Sequence, residues 1–166
     1  HRGGYKTPQA LAKAVEICKQ YPNIRISGLM GYEAFIAKLP TALKMQAKAW
    51  KKMQALYAQM ITVLSNAGFA KDTLILNSGG SQTYTMHTSL PTHANEISLG
   101  AAIVQPSDFD MPTLSAHKMA SFIASPVLKV LTPALIPALE SVQGLRALWN
   151  PNTQTGYFIY GGNWMA

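Results

Sequence analysis

The chain has 166 residues, a hydrophobic share of 48% and a formal net charge of +7 at pH 7. No apolar run approaches the roughly 18 residues of a membrane-spanning helix, and the positive charge reflects few acidic residues rather than a dense basic tract. We therefore expect neither a membrane nor a nucleic-acid partner, since no known nucleic-acid-binding module accompanies the charge. Cys18 is the single cysteine, which excludes an intrachain disulfide and fits a reducing, cytoplasmic location.

The first half of the sequence alternates helical and strand patterns. A helix is predicted from Thr7 to Gln20, with Thr7 as its cap and Pro8 in its first turn. A short strand follows from Ile24 to Met30. A long helix is predicted from Thr41 to Asn66, again capped by a threonine and ended by Gly68. Its apolar stripe comprises Leu43, Ala47, Trp50, Tyr57, Ile61 and Leu64, with the lysines facing away.

A second strand is predicted from Thr73 to Leu76, and strands separated by helices indicate βαβ units with a parallel sheet. After Pro106 the helical rhythm weakens and prolines become frequent. We predict strands from Ser121 to Val130 and from Gly156 to Tyr160, with a short helix from Ala138 to Leu148. The sequence therefore predicts an α/β region over residues 1–107 and a mainly β region over residues 108–166.

The strongest candidate site follows the second strand, where an apolar run ends in small polar residues and two glycines: Asn77, Ser78, Gly79, Gly80 and Ser81. Such a turn lets backbone N–H groups approach an anion closely, as in phosphate sites of α/β proteins. An ordinary glycine-rich turn has the same sequence features. Two further strand ends carry polar or aromatic residues, at 31–33 and in the stretch 97–104. Because ligands bind at the carboxyl ends of parallel strands, this convergence favours the phosphate site.

Two other residues near strand ends are candidates for ligand contacts. Tyr32 follows the first strand, where its ring is placed either to lie beside a flat cofactor or simply to pack. Arg2, beside two glycines, is either a bidentate clamp for a carboxylate or a surface residue in a turn. His87 and His93 are the only close histidine pair, but they lack a third ligand, so we predict a polar loop from Thr83 to Asn95 and no metal site.

In their order and spacing, these motifs resemble the alanine-racemase-type (fold type III) pyridoxal-phosphate enzymes, within them the D-serine dehydratase and D-threonine aldolase-like group. The segment 1–5 resembles the strand end where the family carries an arginine, and 28–33 resembles the strand that closes near the cofactor. The segment 77–84 resembles the glycine-rich phosphate loop. The segment 96–101 resembles a stretch whose glycine and following amide also reach the phosphate, and 109–164 resembles the start of the β domain.

The resemblance implies a fold, a reaction class and residue roles. The fold would be the second part of a (β/α)8 TIM-type barrel followed by the start of a mainly β C-terminal domain. The activity would be that of a pyridoxal 5'-phosphate-dependent lyase, a dehydratase or aldolase, acting on a small D-amino acid. Tyr32 would be the catalytic residue in this chain, supporting the ring and offering a hydroxyl for proton transfer, and Arg2 would recognise the substrate carboxylate. The cofactor phosphate would bind at Asn77, Ser78, Gly79, Gly80, Ser81, Gly100 and Ala101.

Departures from the family pattern bear on the chemistry. Ser98 stands where racemases carry an arginine against the pyridine nitrogen, and a serine supplies no positive charge. The family's Schiff-base lysine would lie upstream of His1, and the ligands of a possible zinc ion would lie beyond Ala166. We therefore expect a fragment that is inactive and poorly stable alone, from a protein that is a homodimer when complete. A racemase of the same fold and a non-catalytic pyridoxal-phosphate-binding protein are the alternatives.

Overall fold

The computed structural model describes residues 4–41, 43–134, 148 and 154–161. The chain divides into two compact units, residues 1–121 and 122–166. Within the described residues the architecture is mixed α/β, as the sequence predicted. The first unit contains α1 (Pro8–Lys19), β1 (Gly28–Met30), α2 (Met45–Asn66), β2 (Ile75–Ser78), α3 (Met86–Ser89) and β3 (Glu96–Ile97). The second contains β4 (Val127–Leu131) and β5 (Gly156–Ile159).

The three strands of the first unit form a parallel sheet in the order β1-β2-β3. Gly28 pairs with Ile75 and Asn77 pairs with Glu96, so the three strands end at the same edge. The helix α2 connects β1 to β2, which gives the βαβ unit that the sequence predicted. This arrangement brings the loops after β1, β2 and β3 together.

The core of this unit lies between the two long helices and the sheet. Val15 of α1, Leu64 of α2 and Leu76 of β2 are each at most 2% exposed and belong to one apolar cluster. A second cluster joins Trp50 of α2 to Ile36 and Met86. Through the two clusters, α2 packs against the sheet and α1 near its C-terminal end, and against the segments after β1 and β2 near its N-terminal end.

The helix starts follow local hydrogen bonding. At α1, the Thr7 hydroxyl accepts a hydrogen bond from the Ala10 N–H at 3.2 Å, so the predicted cap is confirmed. The prediction that α2 begins at Thr41 is wrong. The Thr41 carbonyl instead accepts from the Lys44 N–H in a tight turn. Lys44 then caps the helix in a left-handed conformation, and Leu43, predicted on the buried stripe, is 77% exposed.

The strands are displaced relative to their predicted bounds. β1 is confined to the last three residues of the predicted segment, because its partner β2 is short. β2 begins at Ile75 and extends through Asn77 and Ser78, which were assigned to the turn. The segment 83–95, predicted as a loop, contains the helix α3.

The second unit contains an antiparallel pair, β4 and β5, in which Leu131 pairs with Gly156. Both strands fall within the region predicted to be mainly β. The predicted helix from Ala138 to Leu148 lies outside the described residues, apart from residue 148. The predicted domain boundary at 107/108 lies within the first unit. Within the described residues, every helix is too short or too polar to cross a membrane.

Candidate functional site

The loops after the three parallel strands border one cavity of about 1050 Å³. Gly31 and Tyr32 follow β1, Gly79 and Gly80 follow β2, and Ser98 to Gly100 follow β3. The size is that of an ordinary ligand-binding cleft. The residues that line the cavity include Tyr32, Lys38, Asn77, Gly79, Gly80, Ser81, Ser98 and Gly100.

The turn after β2 requires glycine at position 79 and leaves little room for a side chain at position 80. Gly79 has φ +98°, and a Cβ atom there would lie 3.0 Å from Ile97 Cγ2 and 3.1 Å from the Ser98 carbonyl oxygen. A Cβ atom on Gly80 would lie 3.0 Å from Cε2 of Tyr32. The bare backbone of the turn therefore lies directly against the Tyr32 ring and the loop after β3.

Beneath this turn lies a buried carboxylate that we did not single out from the sequence. Glu33 is 0% exposed. Its Oε2 accepts from the Ser78 hydroxyl at 2.8 Å and from the Gly79 N–H at 3.4 Å. Its Oε1 accepts from the Thr83 hydroxyl at 2.9 Å and lies 3.0 Å from His87 Nε2.

The hydrogen-bond network assigns the tautomer of His87. An ionised carboxylate only accepts, so Nε2 of His87 donates to Glu33. Nδ1 lies 2.9 Å from the Thr92 hydroxyl, whose oxygen already accepts from the Ala94 N–H at 3.1 Å and from Gln54 Nε2 at 3.4 Å, so both of its lone pairs are occupied. The Thr92 hydroxyl hydrogen therefore donates to Nδ1, and His87 is the neutral Nε2–H form. Trp50 fixes the ring from the side by an edge contact, with 4.8 Å between centroids.

Tyr57 of α2 supports the same strand ends from the core. Its hydroxyl donates to the Asn77 carbonyl at 2.8 Å, and the Leu29 carbonyl is 3.2 Å away. Burial, and secondly the charge of Glu33, raise the pKa of Tyr57 to about 12. Tyr57 is thus a neutral hydrogen-bond donor at any physiological pH.

The loops after β2 and β3 are joined by side-chain hydrogen bonds. The Asn77 amide nitrogen donates to Glu96 Oε1 at 2.7 Å and to Ser98 Oγ at 2.8 Å. The Ser81 hydroxyl oxygen accepts from the N–H groups of Gly100 at 3.2 Å and Ala102 at 3.1 Å. Within the part of the chain that the structure describes, the Ser81 hydroxyl hydrogen has no acceptor, so it is available to a ligand in the cavity.

The structure brings most of the predicted site residues to this cavity. Tyr32, Asn77, Gly79, Gly80, Ser81 and Gly100 line it. Ser78 does not, because its hydroxyl is turned inward to Glu33 and the residue is 1% exposed. Ala101 begins a short 3-10 turn just beyond the lining residues. Arg2 lies outside the described residues.

The histidines of the predicted polar loop have separate environments. His87, on α3, is buried against Glu33, whereas His93 is exposed. Among the described residues, no group of three His, Cys, Asp or Glu side chains is placed to hold a metal ion. The sequence signal for the buried cluster was an acidic residue three positions after the end of the first strand. It indicated no partner, because Thr83 and His87 are about fifty residues away (50 and 54).

No protein-family model, curated protein or solved structure matches this chain.

Proposed function

We propose that this chain is part of a pyridoxal 5'-phosphate-dependent lyase acting on a small D-amino acid, by elimination or aldol-type cleavage. The observation that supports this most is the cavity itself. The glycine turn after β2, Tyr32 after β1 and the segment Ser98–Gly100 after β3 border one cavity at the carboxyl ends of three parallel strands. Cofactors of α/β proteins bind at this edge of the sheet.

The residues present fit the phosphate of this cofactor. Side chains at Gly79 and Gly80 would fill the space against the neighbouring loops, so glycine keeps the backbone accessible. The Ser81 hydroxyl hydrogen has no acceptor among the described residues and can donate to the phosphate, and Lys38 contributes a positive charge at the edge of the cavity. Backbone N–H groups, a hydroxyl and a cation are the usual ligands of phosphate in proteins.

The chain's own groups would bind and orient the ligand. The turn 79–81 holds the phosphate, and Tyr32, whose ring lies against Gly80, supports one side of the flat ring. When bound, the cofactor supplies an electron-withdrawing ring that takes up negative charge as a bond to the substrate Cα breaks. Ser98, hydrogen-bonded to Asn77, brings no positive charge to the ring nitrogen. This favours a lyase over the racemase alternative.

The barrel is also part of the proposal. Among the described residues, no strand pairs with the outer edge of β1 or of β3, so both edges could take further parallel strands. Exposed apolar side chains on the sheet, such as Met30 (79% exposed) and Ile75 (48%), would be covered in a closed barrel. The antiparallel pair of β4 and β5 agrees with the start of a β domain.

The proposal is tested by measuring how much the phosphate contributes to binding, apart from the ring. Pyridoxamine 5'-phosphate cannot form a Schiff base with a lysine, and pyridoxamine differs from it only by lacking the phosphate. In calorimetric titrations of the chain, we expect the phosphorylated amine to bind at least about tenfold more tightly, since charge-assisted hydrogen bonds are each worth 1.5 kcal/mol or more.

A matched pair of variants locates the binding. Gly80→Leu would place its side chain against Tyr32 and abolish the preference for the phosphorylated amine. Ala55→Leu adds the same side chain on an exposed position of α2 and should leave the preference unchanged. Equal affinities of the two amines for the unmodified chain would overturn the proposed function.

A further inference from the structure

The buried carboxylate of Glu33 cannot contact a phosphate in the cavity, because it is 0% exposed and does not line the cavity. Its partners, however, lie at both ends of the glycine turn. Ser78 and Gly79 stand at the start of the turn, and Thr83 stands at its end. One side chain therefore connects both ends of the segment that carries Gly80 and Ser81.

We infer that Glu33 is a positioning residue that holds the glycine turn open as an anion cradle. This inference rests on the proposed function of the turn. Four groups donate to Glu33, from Ser78, Gly79, Thr83 and His87. An ionised carboxylate accepts at both oxygens and carries no hydrogen, so it alone among side chains of this size satisfies all four.

The geometry explains why the turn needs such support. Gly79 and Gly80 have the largest conformational freedom of any residue type, and a loose turn would lose that freedom on binding an anion. By fixing Ser78, Gly79 and Thr83, Glu33 removes much of this cost before the ligand arrives. His87, clamped by Thr92 and Trp50, in turn holds the carboxylate in place.

Positioning and simple electrostatics predict opposite results for Glu33→Gln. Removing a negative charge below the turn would, by itself, strengthen the binding of an anion. A glutamine amide, however, has one acceptor oxygen where both carboxylate oxygens accept, so either the Gly79 N–H or the His87 Nε2–H loses its acceptor and the support of the turn weakens. If Glu33 positions the turn, the charge-neutral variant binds phosphate less well.

The experiment compares pyridoxamine 5'-phosphate and pyridoxamine in titrations of the chain and its variants. We expect Glu33→Gln to lower the affinity for the phosphorylated amine about tenfold, the effect of one lost charge-assisted hydrogen bond, and to leave that for pyridoxamine nearly unchanged. A purely structural role would weaken both alike. Glu16→Gln is the matched control. It removes the same charge at an exposed position of α1 that does not line the cavity, so the affinity ratio should stay within a factor of about two.

A second pair of variants covers the case in which Glu33→Gln does not fold. Thr83→Val removes one donor to Glu33 and should lower the affinity ratio, whereas Thr83→Ser keeps the hydroxyl and should restore it. An unchanged or increased ratio in Glu33→Gln and Thr83→Val, with a clear phosphate preference in the unmodified chain, would overturn this inference alone. If the unmodified chain shows no phosphate preference, the proposed function fails and the inference fails with it.

Discussion

At the scale of single residues, the site depends on polar groups whose partners are distant in sequence. Tyr57 comes from the middle of α2, yet its hydroxyl donates to the Asn77 carbonyl at the end of β2. Glu33 and His87 are 54 residues apart and lie in direct contact. The sequence indicated which residues follow the strands, but it did not indicate these pairs, because helix packing and the sheet register create them.

The raised pKa of Tyr57 predicts a specific dependence of stability on pH. Between its ordinary value of 10.0 and about 12, the folded chain retains a proton that the unfolded chain loses. The free energy of unfolding should therefore fall as pH rises through this window, and the contribution is complete below pH 10. Tyr57→Phe should remove this part of the pH dependence and cost about 1 kcal/mol at pH 8 through the lost hydrogen bond.

Urea unfolding of the unmodified chain and of Tyr57→Phe between pH 8 and 11.5 checks this expectation. The titration of the lysines is the same in both, so it cancels in the difference between their free energies of unfolding. Tyr21→Phe, at a tyrosine that is 55% exposed, is the control and should follow the unmodified chain. Parallel pH profiles for Tyr57→Phe and the unmodified chain would contradict the role assigned to Tyr57.

At the scale of elements, α2 organises the first unit. Its buried residues contact α1 and β2 in one cluster, and Trp50 contacts the second cluster near α3. The helical period of the apolar residues indicated this buried face. Trp50, Tyr57, Ile61 and Leu64 are buried as expected, whereas Ala47 of the same predicted stripe is exposed. The start of the helix was not predictable from Thr41, because the turn before Lys44 is a local alternative that a threonine cap does not reveal.

The packing of α2 gives a prediction about stability. Leu64→Ala should lower the free energy of unfolding by about 2–5 kcal/mol, since Leu64 is 0% exposed in the core and its truncation leaves a cavity. Leu43→Ala, at a leucine that is 77% exposed, should change it by no more than about 0.5 kcal/mol. Chemical denaturation of the two variants measures both values, and equal losses would show that the two leucines have similar environments.

At the scale of the whole molecule, the candidate site belongs to one unit. The lining residues of the cavity fall between Gly4 and Phe109, and the first unit extends to residue 121. The composition change after Pro106 indicated a second region, but the two compact units divide further along the chain, between Ser121 and Phe122. Residues 112–117 belong with the first unit, since the Thr113 hydroxyl donates to the Gln82 carbonyl and Tyr84 is hydrogen-bonded to His117.

A truncation tests this assignment of the site. A chain ending at Ser121 should bind pyridoxamine 5'-phosphate with the affinity of the full 166 residues, because every lining residue is retained. A chain ending at residue 107 should bind it more weakly, since it lacks Phe109 and the Thr113–Gln82 hydrogen bond. Calorimetric titration of the three chains measures the difference. Loss of binding in the chain that ends at Ser121 would assign part of the site to residues after 121.

The sequence by itself determined the features that depend on local chemistry. The helical spacing of apolar residues and the Thr7 cap predicted α1, and the same spacing predicted the buried face of α2. The alternation of strands and helices predicted a parallel sheet. The same alternation placed the glycine turn, Tyr32 and Gly100 at one edge of that sheet. Only the tertiary structure decided which groups face the cavity. It turned Ser78 inward and buried Glu33 beneath the turn with His87, because those contacts follow from strand register and helix packing over about fifty residues, as between Glu33 and Thr83 (50 residues).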